Sequence, residues 1–237
     1  MFEKFLNQLN KTKLVILLIK FEGILFRWFG HDGFLITSKS GKTICIDPFK
    51  VEGDFEPVDV LVSTHEHFDH CSIDDMKKFV SSTKTEVIGI PMARDTLKKL
   101  DCKTVHYVSP SDKVTISSIP FEFVPAYNIN KFREPGVHFH PKEDKKIGLV
   151  FEMDNQRIYH AGDTDNIPEL KDISTDVALI PVSGKYVMTA DEAIEAAKIL
   201  NPKLAIPMHF GAGIGDRSMA VEFSQGLSCK TEIPSID

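Results

Sequence analysis

The sequence predicts an α/β protein with helices outside two packed sheets, and three features predict it. Short apolar or alternating runs of strand length recur along nearly the whole chain. Helical spacing is confined to a few stretches. The early half reads as strands and hairpins with occasional helices, and the later half repeats that order. No internal repeat and no low-complexity linker interrupts the chain, so residues 1–237 are expected to form a single domain, with 1–22 an N-terminal extension packed on it.

Strands are expected over residues 24–28, 34–37, 43–46 and 58–63, then 86–90, 113–116 and 121–125. Four more follow over 147–153, 157–160, 177–181 and 204–207. Helical patterns cover 72–80, 93–100 and 189–200. The last opens on Thr189-Ala190-Asp191-Glu192, a capping residue followed by early acidic residues, and continues through Ala193, Ile194, Ala196, Ala197 and Leu200. Asn201-Pro202 ends it.

Near the N-terminus, Phe2, Phe5, Leu6 and Leu9 have the spacing of a short amphipathic helix over residues 2–10. Leu14 to Ile19 is an apolar run bounded by Lys13 and Lys20. A bilayer span needs about 20 apolar residues, and Phe21-Glu22-Gly23 is a poor cleavage site. A strand is the better reading. This stretch either packs on the core or meets another subunit, which leaves a homo-oligomer open.

At 42% hydrophobic and 26% charged, the chain has the composition of an ordinary globular protein. The net charge is -6 and no Lys/Arg stripe forms, which argues against nucleic acid as a partner, because phosphate neutralisation needs grouped cations. Lys142, Lys145 and Lys146 alternate with Glu143 and Asp144, the pattern of a solvated loop. Cys45, Cys71, Cys102 and Cys229 form no CxxC pair. Reduced thiols in a cytoplasmic protein, with neither a membrane nor a nucleic-acid partner, are therefore expected.

The chemistry concentrates in His65-Glu66-His67-Phe68-Asp69-His70, directly after the apolar run Leu61-Val62. Alternating His65 and His67 fall on one side of an extended backbone, and Asp69 and His70 follow once the chain turns. Imidazole and carboxylate donors converging from one short stretch suit a pair of divalent cations such as zinc, manganese or iron. No Gly-x-Ser-x-Gly elbow appears.

The His-x-His-x-Asp-His signature resembles that of the metallo-β-lactamase superfamily of metal-dependent hydrolases. Trp28 to Ile36, reading WFGHDGFLI, and Ile46-Asp47-Pro48-Phe49 are similar to its ascorbate-6-phosphate lactonase-like branch, which includes the N-acyl-phosphatidylethanolamine phospholipases D. Tyr159-His160-Ala161-Gly162-Asp163-Thr164 and Ile206-Pro207-Met208-His209-Phe210-Gly211 match the later motifs, so the likeness runs roughly from Leu25 to Gly211.

The resemblance sharpens the fold to a four-layer αβ/βα sandwich with metals at the sheet edges. It implies a first cation on His65 and His67, a second on Asp69, His70 and His209, and Asp163 as the bridge. The branch carries a further histidine soon after the strand that corresponds here to 121–125, where this chain has Ala126-Tyr127-Asn128. His140, His138 or Asn128 would then complete the first site. His140 is favoured because Pro141 fixes the chain beside it, and both histidines are expected to face one side of an extended segment. Asp47 is expected to orient His67 or another ligand. His31 comes near the pocket, as a substrate contact or as a structural turn histidine, and His160 serves packing or ligand support.

The implied activity is hydrolysis of a small lactone or phosphodiester-type substrate by metal-activated water, with two divalent ions, zinc foremost. Asp69 would also orient the nucleophile or pass a proton to the leaving group. Lys185 could meet an anionic substrate, and the glycines of 211–215 form a mobile rim. The competing readings are an iron-dependent oxidoreductase of the same fold, a nuclease, which this acidic chain favours least, and a noncatalytic metal- or ligand-binding protein.

Overall fold

The structure is a computed structural model describing residues 18–235. The expected helix over 2–10 and residues 14–17 of the expected strand over 14–19 lie outside the described residues.

The first sheet has seven strands in chain order: β1 (Ile19–Phe21), β2 (Ile24–Gly30), β3 (Gly33–Thr37), β4 (Thr43–Ile46), β5 (Val60–Val62), β6 (Glu86–Gly89) and β7 (Thr104–Tyr107). Strands β1 to β4 pair antiparallel, and β4 to β7 pair parallel. After β8 (Lys113–Ile116) and β9 (Ile119–Pro125), a small ribbon of β10 (Phe132–Glu134) and β11 (Val137–His138) leaves the main sheets. Then come β12 (Ile147–Met153), β13 (Gln156–His160), β14 (Val177–Pro181), β15 (Leu204–Met208) and β16 (Lys230–Thr231).

The second sheet runs β16-β15-β14-β13-β12-β9-β8. Its β8, β9, β12 and β13 are antiparallel neighbours, and β13 to β16 are parallel. Each half of the chain therefore repeats one plan, an antiparallel meander followed by parallel strands.

Helix α1 (Ile73–Met76) continues into a 3-10 turn at Lys77–Phe79, so the expected helix over 72–80 is split. Helix α2 (Arg94–Leu97) follows a 3-10 turn at Pro91–Ala93. Helix α3 (Ala190–Leu200) starts at Thr189, whose hydroxyl accepts from the Glu192 N–H while the Glu192 side chain accepts from the Thr189 N–H. This reciprocal cap stabilises a helix start by about 1 kcal/mol. It ends at Asn201 in the left-handed conformation. Helix α4 (Arg217–Gln225) was not anticipated, although Asp216 caps it by accepting from the Ser218 N–H.

Helix α2 packs on β6, α3 on β14 and α4 on β15, so helices cover the outer faces and the sheets share one contiguous core. The parallel strands β5, β14 and β15 are buried at every position, as expected for strands covered on both faces. This is the four-layer αβ/βα sandwich that the sequence led us to expect. Among the described residues, no helix is long and apolar enough to cross a membrane.

Candidate metal centre

The site residues follow strand ends. Asp47 succeeds β4, Thr64 to His70 follow β5, Asp163 follows β13, Ser183 follows β14 and His209 succeeds β15. His31 and Asp32 form the turn between β2 and β3. Parallel strands deliver their loops to one edge, which is where ligands of such sheets gather.

The two sheets are tied together at that edge. The His31 N–H donates to the Phe210 carbonyl and the His209 N–H to the His31 carbonyl, both at 3.0 Å. Trp28 Nε1 also donates to the His31 carbonyl. His31, Asp47 and His209 all have positive φ, at 54°, 44° and 59°. Each such non-glycine residue stores of order 1 kcal/mol or more of backbone strain, which surrounding contacts must hold in place.

His65, His67 and His140 form the first cluster, with one ring nitrogen of each inside a common 4.8 Å radius of separation. His65 Nε2 and His67 Nδ1 stand 3.1 Å apart. The His65 tautomer follows from its neighbours. Thr64 Oγ1 gives its single hydrogen to Asp47 Oδ2 at 2.6 Å, so it can only accept from His65 Nδ1, 3.1 Å away. That leaves the His65 Nε2 lone pair facing the cluster.

His140 is set in the same way. Asn128 Oδ1 accepts the His140 backbone N–H at 2.8 Å and lies 3.0 Å from His140 Nδ1. Because a backbone N–H can only donate, the side-chain atom facing it is oxygen, and Nδ1 must carry hydrogen. His140 Nε2 then points at Asp163 Oδ2, 3.2 Å away.

Asp163 is the hub. Its Oδ2 lies 3.4 Å from His209 Nε2 and 4.0 Å from His65 Nε2, and its Oδ1 lies 3.4 Å from His70 Nε2. Gly162 makes this approach possible: its φ is +61°, and a Cβ there would stand 2.7 Å from the Ile147 carbonyl. On the far side, His70 Nδ1 lies 2.8 Å from Asp47 Oδ2, and His209 Nδ1 lies 2.7 Å from Ser183 Oγ. Asp69 stands further out, partly exposed, with Oδ2 3.4 Å from His31 Nε2.

Burial, then the nearby imidazoles, holds His65 neutral, well below the usual imidazole range. Burial, Lys146 and His140 hold His67 down to about 4. Burial opposes the charge on Asp163, but His70, His209 and His140 outweigh it and keep its carboxyl well below the carboxylate range. For His70, burial is likewise outweighed, by Asp163 and Asp47, and its pKa rises.

The donor set fits metal cations. His65 and His140 present oriented lone pairs beside an ionised carboxylate, which is the donor chemistry zinc, iron and manganese accept. Several donors are also buried without a hydrogen-bond partner: His70 Nε2, Asp163 Oδ1, both His31 ring nitrogens and both Asp32 oxygens. Burying so many polar atoms without compensation is costly unless a cation takes them up.

Comparison with known proteins agrees. The family described as the beta-lactamase superfamily domain matches residues 25–209. A UPF0173 metal-dependent hydrolase of Thermoplasma acidophilum is 30% identical over 80% of this chain and 84% of its own length. The chain belongs to the beta-lactamase superfamily, among the metal-dependent hydrolases. A second UPF0173 metal-dependent hydrolase, from Methanoculleus marisnigri, is 31% identical over 87% of this chain and 89% of its own. A crystal structure from Parabacteroides distasonis, described as of the metal-dependent hydrolase class, superposes with a TM-score of 0.78 at 26% identity, covering 94% of this chain and all of the other. The chain is thus an enzyme of the metal-dependent hydrolase type.

Asp47 contacts His70 and reaches His65 through Thr64, so it meets two of the other candidate ligands rather than His67. Other expectations need correcting. His138 and His140 do not share a side, because β11 stops at His138 and the chain then turns. His138 stacks on Phe132 and pairs with the Ile129 carbonyl, away from the cluster. Asn128 orients His140 instead of standing in for it. His160 links the sheets through Nε2 to the Asp32 carbonyl at 3.0 Å. Lys146 is not solvated: it is buried and paired with Glu66. Asp32, Thr64 and Ser183 also border the site, through contacts that appear only in three dimensions.

Proposed function

We propose that the chain holds two divalent cations, one on His65, His67 and His140 and one on Asp69, His70 and His209, with Asp163 between them. The observation that carries this reading is the convergence of four imidazoles, from the loops after β5, β11 and β15, on one carboxylate, at 3.2 to 4.0 Å. Zinc is the ion we expect, and the same donors accept manganese or iron. A bound pair supplies Lewis acidity, lowering the pKa of water toward neutrality and polarising a carbonyl or phosphoryl oxygen.

The chain's own residues then orient and select. Asp47, Thr64, Asn128 and Ser183 fix the imidazoles. Asp69, at the outer side of the cluster beside His31, orients the attacking water or receives its proton.

The substrate we propose is a small lactone or phosphodiester with negative charge, the class suggested by the lactonase-like motif WFGHDGFLI. Two cations near the rim support the charge. Lys50 Nζ sits 5.1 Å above the Phe49 ring, which is 6.0 Å from the His31 ring. Lys185 Nζ sits 4.9 Å above Tyr186, whose ring is 6.5 Å from that of His209. Phe68, 74% exposed beside Phe49, adds an apolar contact. The four cysteines are free, in keeping with a cytoplasmic protein.

The test is a screen of lactones and phosphodiesters with protein loaded with zinc, manganese or iron. Hydrolysis that chelator removes and metal restores supports the reading. Inactivity of fully loaded protein favours the noncatalytic alternative, and oxygen uptake by the iron form favours an oxidoreductase.

A further inference from the structure

Asp32 is fully buried, and neither of its carboxylate oxygens makes a hydrogen bond. A carboxylate stripped of water and given no donor in return either takes up a proton or keeps its charge against a cation. Among the described residues its ion-pair partner is His70, whose Nδ1 stands 3.9 Å from Oδ2. The surroundings supply imidazoles: one oxygen of Asp32 and one ring nitrogen each of His31, His70 and His209 all lie within 4.8 Å of one another. Four donors bonded tetrahedrally at about 2.0–2.2 Å stand about 3.3–3.6 Å apart, so a modest inward movement would close this set on one ion.

The turn that carries Asp32 is built rather than loose. His31 sits at φ 54° and is tied at both its N–H and its carbonyl to the loop carrying His209 and Phe210. The Asp32 carbonyl accepts from His160 Nε2 at 3.0 Å. The Asp32 side chain is therefore held at the cluster from the opposite sheet. Asp69 joins no such mutually close set with these histidines; its carboxylate faces His31 from the outer side, 3.4 Å away.

We propose that Asp32 is a ligand of the second cation, acting with His31, His70 and His209 from the buried side of the site. This rests on the two-cation reading above and adds to it a carboxylate and an imidazole from the β2–β3 turn.

The full chain is stripped with chelator and reloaded with zinc at buffered free concentrations, and bound zinc is counted by elemental analysis. Wild-type protein should bind two ions. Asp32→Asn and Asp32→Ala should keep the first with unchanged affinity and release the second at about tenfold or higher free zinc, since even loss of an outer-shell partner weakens metal sites by about that much. Retention of the second ion with wild-type affinity in both variants overturns the proposal. Zinc-edge anomalous diffraction on wild-type crystals does not depend on how the variants fold. An Asp32 oxygen at about 2.0–2.2 Å from a peak agrees with the proposal, and one beyond about 3 Å overturns it. Two ions bound away from Asp32 sink this inference alone, whereas no bound zinc in wild type sinks the two-cation reading with it.

Discussion

Asn128 and His140 are joined by three hydrogen bonds. The Asn128 N–H donates to the His140 carbonyl at 2.8 Å, while Asn128 Oδ1 accepts the His140 N–H and faces its ring Nδ1 at 3.0 Å. The amide nitrogen is anchored in turn to the Tyr186 carbonyl and to Asp165 Oδ1. Asp165 also accepts the N–H groups of Ile129 and Asn130, so the loop bringing in the third imidazole is pinned from the strand that supplies Asp163.

Asn128→Ala should therefore loosen His140 and weaken retention of the first cation by about 10- to 100-fold, the usual effect of losing an outer partner. Asn128→Asp keeps the acceptor oxygen and should lose less. Zinc titration followed by elemental analysis checks this, with circular dichroism confirming the fold. Equal affinity in wild type and Asn128→Ala would show that His140 is not oriented this way.

Thr64→Val removes the hydroxyl that gives its hydrogen to Asp47 and accepts from His65 while keeping the side-chain volume. Leaving Asp47 and His65 with one unmet partner each should lower stability by about 1–3 kcal/mol and weaken the first cation. Thermal or urea unfolding measures the former, and an unchanged midpoint would contradict it.

Gly162→Ala puts a Cβ 2.7 Å from the Ile147 carbonyl at a φ of +61°. Backbone strain of about 1–2 kcal/mol adds to the clash, and relief requires moving Asp163. The variant should melt lower and bind metal more weakly than wild type; a match to wild type in both would refute the argument.

Away from the centre, Asp75 accepts the N–H groups of Lys50 and Val51 and pairs with Ser72 and Lys78. Burial acts against its charge, but these donors outweigh it, so its folded pKa lies below the usual value. A depressed carboxyl pKa contributes stability above the unfolded value near 4, and that stability fades as pH falls through the folded value. Asp75→Ala should therefore cost about 2–3 kcal/mol at neutral pH, with the gap to wild type narrowing below about pH 4. Urea midpoints at pH 7 and pH 3 check the sign, and a gap that widens in acid would reverse it.

Much of this was legible in the sequence. Apolar runs located nearly every central strand, because parallel strands buried on both faces are apolar throughout, as in Val177–Pro181 and Leu204–Met208. Edge strands lack that signature: β7 is exposed or half-buried throughout and went unread, as did the two-residue β16. Helix α4 was hidden behind the glycines of 211–215, although Asp216 and the spacing of buried Ala220 and Phe223 carried the signal. At the site, local motifs named the histidines and Asp163. The orienting partners Thr64, Asn128 and Ser183 were not legible because their function lies in contacts 12 to 26 positions distant, or in a tautomer fixed by a neighbour's only hydrogen.

The central claim, that Asp163 gathers the imidazoles around two cations, is tested most directly by counting metal in wild type and Asp163→Asn after loading with zinc, manganese or iron. The account predicts two ions per chain in wild type, at most one in the variant, and loss of hydrolysis with it. A wild type that keeps none of these ions, or a variant that keeps two, would contradict it.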